Sequence, residues 1–245
     1  MRVAADCDPQ EAARLLYVGV LEILEATQHP YLIKAWNYLP DINLGEGDNE
    51  RYKQFCLGRA EALEPYGAQQ FFPAGTGVGA CAGEDYQVTV LAGVTAPVPL
   101  ENPRQVSAFR YPRDYGPRSP SFSRAAILGD ADDRTLFISG TAAIVGHRSC
   151  HPTHLGDQVR ETMSNWSSLF EAYTQVTGDV PVPNDQSAFR VYLRHETDLA
   201  ESQSLLAEAG IPLERTMFLQ ADICRQELLF EIDGIIPVPA DQKAP

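Results

Sequence analysis

QADICRQELLFEIDG, residues 220–234, closes a pair of strand-like runs, Met217 to Ile223 and Leu228 to Ile235, that meet at the polar turn Arg225-Gln226-Glu227. Side chains alternate along a strand, so Leu229, Glu231 and Asp233 share one face and Leu228, Phe230 and Ile232 the other. Two readings of the carboxylates follow. They line the solvated face of an edge strand, or Glu231 sits mid-strand among apolar neighbours. In the second case desolvation raises its pKa, and a carboxyl still neutral at pH 7 can donate a proton.

Working outward, the second half reads β-β-α-β-α-β-β. Ser123–Leu128 and Arg134–Val145 form a hairpin across Gly129-Asp130-Ala131-Asp132-Asp133. Apolar residues at 155, 159, 163, 166, 169, 170 and 173 mark an amphipathic helix. A strand at Ala188–Leu193 and a helix at Leu199–Ala209, ended by Gly210, precede the final two runs. This is an α+β pattern, a sheet with helices on one face. The first half opens with Asp8-Pro9 as a helix entry, then a largely buried helix to His29-Pro30. A strand at Tyr31–Leu39, a helix near Arg51–Leu63 and a strand at Tyr86–Val94 follow. The proline-rich segment Ala96–Pro103 marks a boundary. The expected units are therefore residues 1–100 and 101–245.

A net charge of -14 argues against a nucleic-acid partner, which needs a basic patch. An anionic substrate would have to be captured by local arginines against that field. The segment FRYPRDYGPRSP, residues 109–120, is dense in Arg and Tyr and broken by three prolines. It reads either as a solvated surface loop or as a wall of guanidinium forks suited to carboxylates. Five scattered cysteines without a CxxC pair look like reduced thiols. With no signal segment and no apolar run near the ~20 residues of a membrane helix, a cytoplasmic protein without a membrane partner is expected. Gly75-Thr76-Gly77-Val78-Gly79 has the wrong spacing for a dinucleotide loop, and a turn or close backbone packing is the expected use of its glycines. His147, Cys150, His151 and His154 invite a zinc reading, but their spacing fits no compact ligand pattern, so no metal is assigned.

Taken together, WNYLPDIN (36–43), FCLGRAEAL (55–63), PAGTGVG (73–79), ENPRQVSAFRYPRDYGPRSPSFSRA (101–125), FISGTAAIVGH (137–147), QVRETMSNWSSLF (158–170) and ADICRQELLFEIDG (221–234) closely resemble the chorismatase family. These are chorismate-cleaving enzymes of secondary metabolism built on the fold of the RidA (YjgF-like, chorismate mutase-like) proteins. The resemblance implies a mixed sheet with helices packed on one face, one complete unit and a partial N-terminal unit, the chain starting later than in other members. Either a monomer or a RidA-like homotrimer fits it. The resemblance implies no cofactor. It makes Glu231 the catalytic acid, with Cys224 assisting proton movement on the ring. Arg59, Arg113, Tyr115 and Arg118 are its candidates for holding the substrate dianion, with Gly140, Thr141 and Ala142 at the pocket floor. Members differ in outcome, 3-hydroxybenzoate or a trans-dihydrodiol, in each case with pyruvate. Cys224 resembles the first branch, and Ala142 or Ala143 the second. An imine deaminase of RidA type, which places an Arg where this chain has Phe218, and an inactive binding subunit are the alternatives.

Overall fold

The computed structural model describes residues 1–66, 72–81 and 83–239. The first part of the chain runs β1 (Arg2–Val3), α1 (Pro9–Thr27), β2 (Tyr31–Leu39), α2 (Arg51–Leu63), β3 (Ala74–Gly79) and β4 (Tyr86–Gly93). Its four strands lie in the order β1-β4-β2-β3, with β2 and β3 parallel and the other pairs antiparallel. Asp8 caps α1 by accepting hydrogen bonds from the backbone N–H groups of Gln10 and Glu11, and Pro9 takes the first turn, where no donor is needed. The buried stripe Ala12, Ala13, Leu16, Tyr17 and Val20 packs on Leu32, Leu39, Tyr86 and Val88 of the sheet and Phe55 of α2. Gly58 lets the two helices touch, because a Cβ there would stand 1.9 Å from the Gln10 carbonyl oxygen.

The remainder runs β5 (Val98–Leu100), β6 (Ala125–Leu128), β7 (Asp133–Ala142), β8 (Ile144–Val145), β9 (Arg148–Ser149), α3 (Leu155–Thr177), β10 (Ala188–Leu193), α4 (Leu199–Glu208), β11 (Thr216–Gln220) and β12 (Phe230–Pro239). Six of these strands form a second sheet, ordered β11-β10-β12-β7-β6-β5, in which only β10 and β11 run parallel. Trp166, Leu169 and Tyr173 of α3 and Leu206 of α4 cover one face, against Val191, Phe230 and Ile232. The fold is thus the expected α+β class, with mixed sheets and helices on one face of each. No helix among the described residues is long and apolar enough to cross a membrane.

Two details depart from the sequence reading. The runs either side of Arg225-Gln226-Glu227 are not hairpin partners, since β10 lies between β11 and β12. Val98–Leu100, assigned by sequence to the first half, hydrogen-bonds to β6 as an edge strand of the second sheet. Of the two uses expected for the glycines at 75, 77 and 79, close packing is the one found: they lie in β3, where added Cβ atoms would meet Phe122 at 2.7 Å, Tyr52 at 3.2 Å and Asp222 at 3.0 Å.

The faces not covered by helices turn toward each other. Ile33 and Ala74 of the first sheet meet Ala126 and Phe137 of the second. A register shift between Leu32 and Lys34 brings the consecutive residues Ile33 and Lys34 both into this contact. Replacing Gly58 by Ala is expected to destabilise the protein by about 1–3 kcal/mol, because the obstructing atom is backbone and the helix pair must separate. Urea unfolding followed by circular dichroism would measure it.

Candidate active site

β12 is the third of six strands, so its carboxylates are interior: Glu231 is 4% and Asp233 2% exposed. That decides between the two readings of this strand. The two carboxyls have unlike surroundings. Asp233 Oδ2 accepts from Thr76 Oγ1 at 2.8 Å, Trp36 Nε1 at 3.1 Å and the Tyr192 hydroxyl at 3.1 Å, and Oδ1 lies 3.8 Å from Lys34 Nζ. Glu231 accepts no hydrogen bond from the protein among the described residues and instead lines a cleft of about 260 Å³. Burial foremost, and then the Asp233 charge, pushes its pKa up to about 8 against the opposing pull of Lys34 and Arg124. The carboxyl is therefore held mainly in its protonated form at neutral pH.

Gly140 is opposite this side chain, and a Cβ there would stand 2.1 Å from Glu231 Oε1. Ala142 pairs with Glu231 across the strands and lines the cleft with Gly140 and Ile144. Thr141, expected at the floor, points the other way by strand alternation and donates its hydroxyl proton to the Ser139 carbonyl. Ala143 is buried outside the lining.

Cys224 and Arg225 enter the cleft from the loop before β12. That loop is held by Arg194 at the end of β10, whose guanidinium donates to the carbonyls of Ile223, Arg225 and Leu228 and pairs with Asp222 at 2.5 Å. Gln158 of α3 donates to the Glu227 carbonyl and accepts from the Leu229 N–H. Burial, followed by the Glu231 charge, pushes the Cys224 pKa far up, so its sulfur stays a thiol at neutral pH.

The arginines are distributed differently from the sequence expectation. Tyr115 lines the cleft as expected, stacked on Arg225 at 4.2 Å and bonded to His147 Nδ1 at 3.2 Å. Arg113 lies at the surface in a bidentate pair with Asp48, at 2.6 and 2.7 Å, and Arg118 pairs with Glu64 at 3.3 Å. Both are exposed and outside the lining, because the turns flanking α2 present acids, Asp48 before the helix and Glu64 after it, to that side of the 109–120 segment. Arg59 is 3% exposed and also outside the lining, two turns along α2 from Tyr52 and near the Tyr17 and Phe55 rings.

The cations that do reach the cleft are Lys53, Arg124 and Arg225. Arg124 is buried, donates to the Val106 carbonyl and the Tyr111 hydroxyl at 2.8 Å each, and keeps its Nε without a protein partner among the described residues. Arg225 packs over Tyr111 and Tyr115 and donates to the His147 carbonyl and Ser149 Oγ. Arg124 and Arg225 lie inside the quoted motifs yet are not among the sequence candidates, because nothing in spacing separates an arginine that faces a cleft from one that faces solvent. No group of three or more metal-ligating side chains is assembled among the described residues, and the stretch 147–154 instead lends His147 to Tyr115.

Residues 1–92 match the family model described as chorismatase FkbO/Hyg5-like, N-terminal. Over 235 residues the chain is 34% identical to a 3-hydroxybenzoate synthase of Streptomyces hygroscopicus, spanning 92% of this chain and 69% of that protein. It is 35% identical over 228 residues to a chorismatase of Streptomyces rapamycinicus, spanning 90% and 68% respectively. A crystal structure of a chorismatase superposes with a TM-score of 0.84 at 32% identity, over 96% of this chain and 72% of that one. A mixed-sheet α+β protein with a buried acid over a small cleft is thus matched in sequence and in structure by one group of enzymes. The chain belongs to the chorismatase family.

Gly140→Ala is expected to drive the Glu231 side chain from its place, destabilising the protein by about 1–3 kcal/mol in urea unfolding. A fully stable variant would show that the Glu231 carboxyl end swings into the cleft and makes room at little cost.

Proposed function

We propose that the protein cleaves chorismate to pyruvate and 3-hydroxybenzoate, with Glu231 as general acid. The observation that carries this reading is a carboxyl kept neutral by burial at the floor of a cleft that also holds two guanidinium groups. Chorismate is a dianion with an enolpyruvyl ether and a neighbouring ring hydroxyl. Glu231 gives its proton to the enol methylene, forming an oxocarbenium. The ring C–O bond then breaks, its electron pair becoming the carbonyl of pyruvate, while the neighbouring hydroxyl oxygen attacks the ring carbon and returns a proton to Glu231. The resulting epoxide opens and loses a ring proton to become 3-hydroxybenzoate. Cys224, held as the thiol, supplies a proton to the opening oxygen and is restored by the ring proton.

Arg124 and Arg225 are the proposed carboxylate anchors, replacing Arg113 and Arg118, since fork-shaped donors in a partly dry cleft bind carboxylates strongly. Tyr115 provides a ring wall and Gly140 and Ala142 the floor. Ala142 at the cleft wall favours a second outcome, in which water rather than the ring hydroxyl enters and the product is the trans-dihydrodiol.

Incubation with chorismate is expected to release pyruvate, read by a coupled dehydrogenase, with 3-hydroxybenzoate identified by mass spectrometry; absence of pyruvate above the spontaneous rate would refute the reading. Glu231→Gln should lower kcat at least about 100-fold, the lower range for a lost general acid. The active form is protonated, so kcat/KM should hold at neutral pH and fall as pH rises through about 8. Arg124→Ala should raise KM far more than Arg113→Ala does.

A further inference from the structure

Behind the cleft, Lys34 of β2 is fully buried between the two sheets. Its ammonium donates to the Ile138 carbonyl at 2.6 Å and to Thr76 Oγ1 at 3.3 Å, and stands 3.8 Å from Asp233. The Thr76 hydroxyl is the knot of this arrangement: it donates to Asp233, accepts from Lys34, and accepts the Gly140 N–H at 3.2 Å. Gly140 is the residue whose Cα floors the Glu231 carboxyl, and the Thr76 methyl borders the same spot. One hydroxyl therefore fixes both the backbone beneath Glu231 and the orientation of the Asp233 carboxylate two residues along its strand.

We infer that Lys34, Thr76 and Asp233 are positioning residues that together balance the hold of Glu231 on its transferable proton and set its place against Gly140. None of the three lines the cleft, so they act through Glu231 rather than on substrate. The groups bearing on Glu231 come from every surrounding element: Lys34 from β2, Tyr52 from α2, Arg124 ahead of β6, Cys224 from the loop and Asp233 from β12. Asp233 opposes ionisation of Glu231, and Lys34 and Arg124 favour it. Lys34 is itself lowered to about 8, by its burial above all. Donation of a proton from Glu231 to an enol carbon leaves a carboxylate beside Asp233, a charge that Lys34 and Arg124 face. The pair behind Glu231 thus acts at both ends of the proton's journey, Asp233 by loading it and Lys34 by tolerating its departure.

This inference rests on Glu231 being the acid of the proposed reaction, and its test separates the two. First, infrared difference spectra of the wild type against Glu231→Gln, recorded across pH without substrate, should show a protonated carboxyl band that disappears with a midpoint near 8. A band lost near the ordinary carboxylate value would overturn the inference whatever the protein turns over. Second, Asp233→Asn should move that midpoint, and the falling limb of kcat/KM, about one unit lower, which at pH 8 costs about fivefold in rate. Lys34→Met should move both upward. Thr76→Val, which keeps shape and loses the hydroxyl, should lower kcat with KM little changed. A purely structural role would reduce activity in all three with the limb unmoved, and that result would overturn the inference. Failure to release pyruvate with the infrared shifts intact would instead sink the choice of substrate and leave the positioning role standing.

Discussion

Burying the Lys34 ammonium between two sheets is the constraint on which the rest of the molecule turns. A charged amine taken out of water must be met by acceptors on all sides, because the desolvation cost is otherwise prohibitive. Here those acceptors come from both sheets: Thr76 from the first, and the Ile138 carbonyl and Asp233 from the second. The sheets consequently cannot slide past one another without breaking a hydrogen-bonded set that water cannot reach to repair. Apolar contacts such as Ile33 against Phe137 hold the faces together without direction, and the polar set gives them a single register. The geometry of the cleft is inherited from that register, since Gly140 and Glu231 sit on strands of one sheet and Thr76 on a strand of the other.

Two carboxyls on one strand come to do opposite things because their neighbours differ. Asp233 is surrounded by donors that fix its carboxyl in place. Glu231, two residues earlier, has burial without donors and a like charge nearby, the combination that retains a proton. Local cations matter the more because the chain as a whole carries -14. The cleft lining sets Lys53, Arg124 and Arg225 among the acids Glu50, Asp114 and Glu227, and the tyrosines at 111 and 115 carry the guanidinium planes on their faces.

Periodicity and capping made most elements legible. Asp8-Pro9 marks the start of α1, and β2, α2 and β10 run over the residues that their patterns indicate. The motifs pointing to the chorismatase family, and Glu231 within them, were equally readable. What could not be read was anything set by distant partners. The glycines of β3 leave a turn and a close approach equally open until Phe122, Tyr52 and Asp222 are seen pressing on them. Arg113 and Arg118 look like substrate forks until Asp48 and Glu64, at the two ends of α2, are found pairing with them. Thr141 and Ala142 are neighbours in sequence, yet the pleat sends only one of them to the cleft. Lys34 carries a signal that could have been used: a lone lysine inside the apolar strand YLIKAWNYL is rarely buried without a partner of its own.

Arg194 grips the loop before β12 by its carbonyl oxygens, a feature that every amino acid supplies. The backbone path there does not depend on which side chain stands at position 224. Descendants of this chain can therefore try different residues at that point one substitution at a time, each presented to the cleft at the same place, without first having to rebuild the loop. Diversity of chemical outcome becomes cheap to explore when the scaffold is anchored through what all residues have in common.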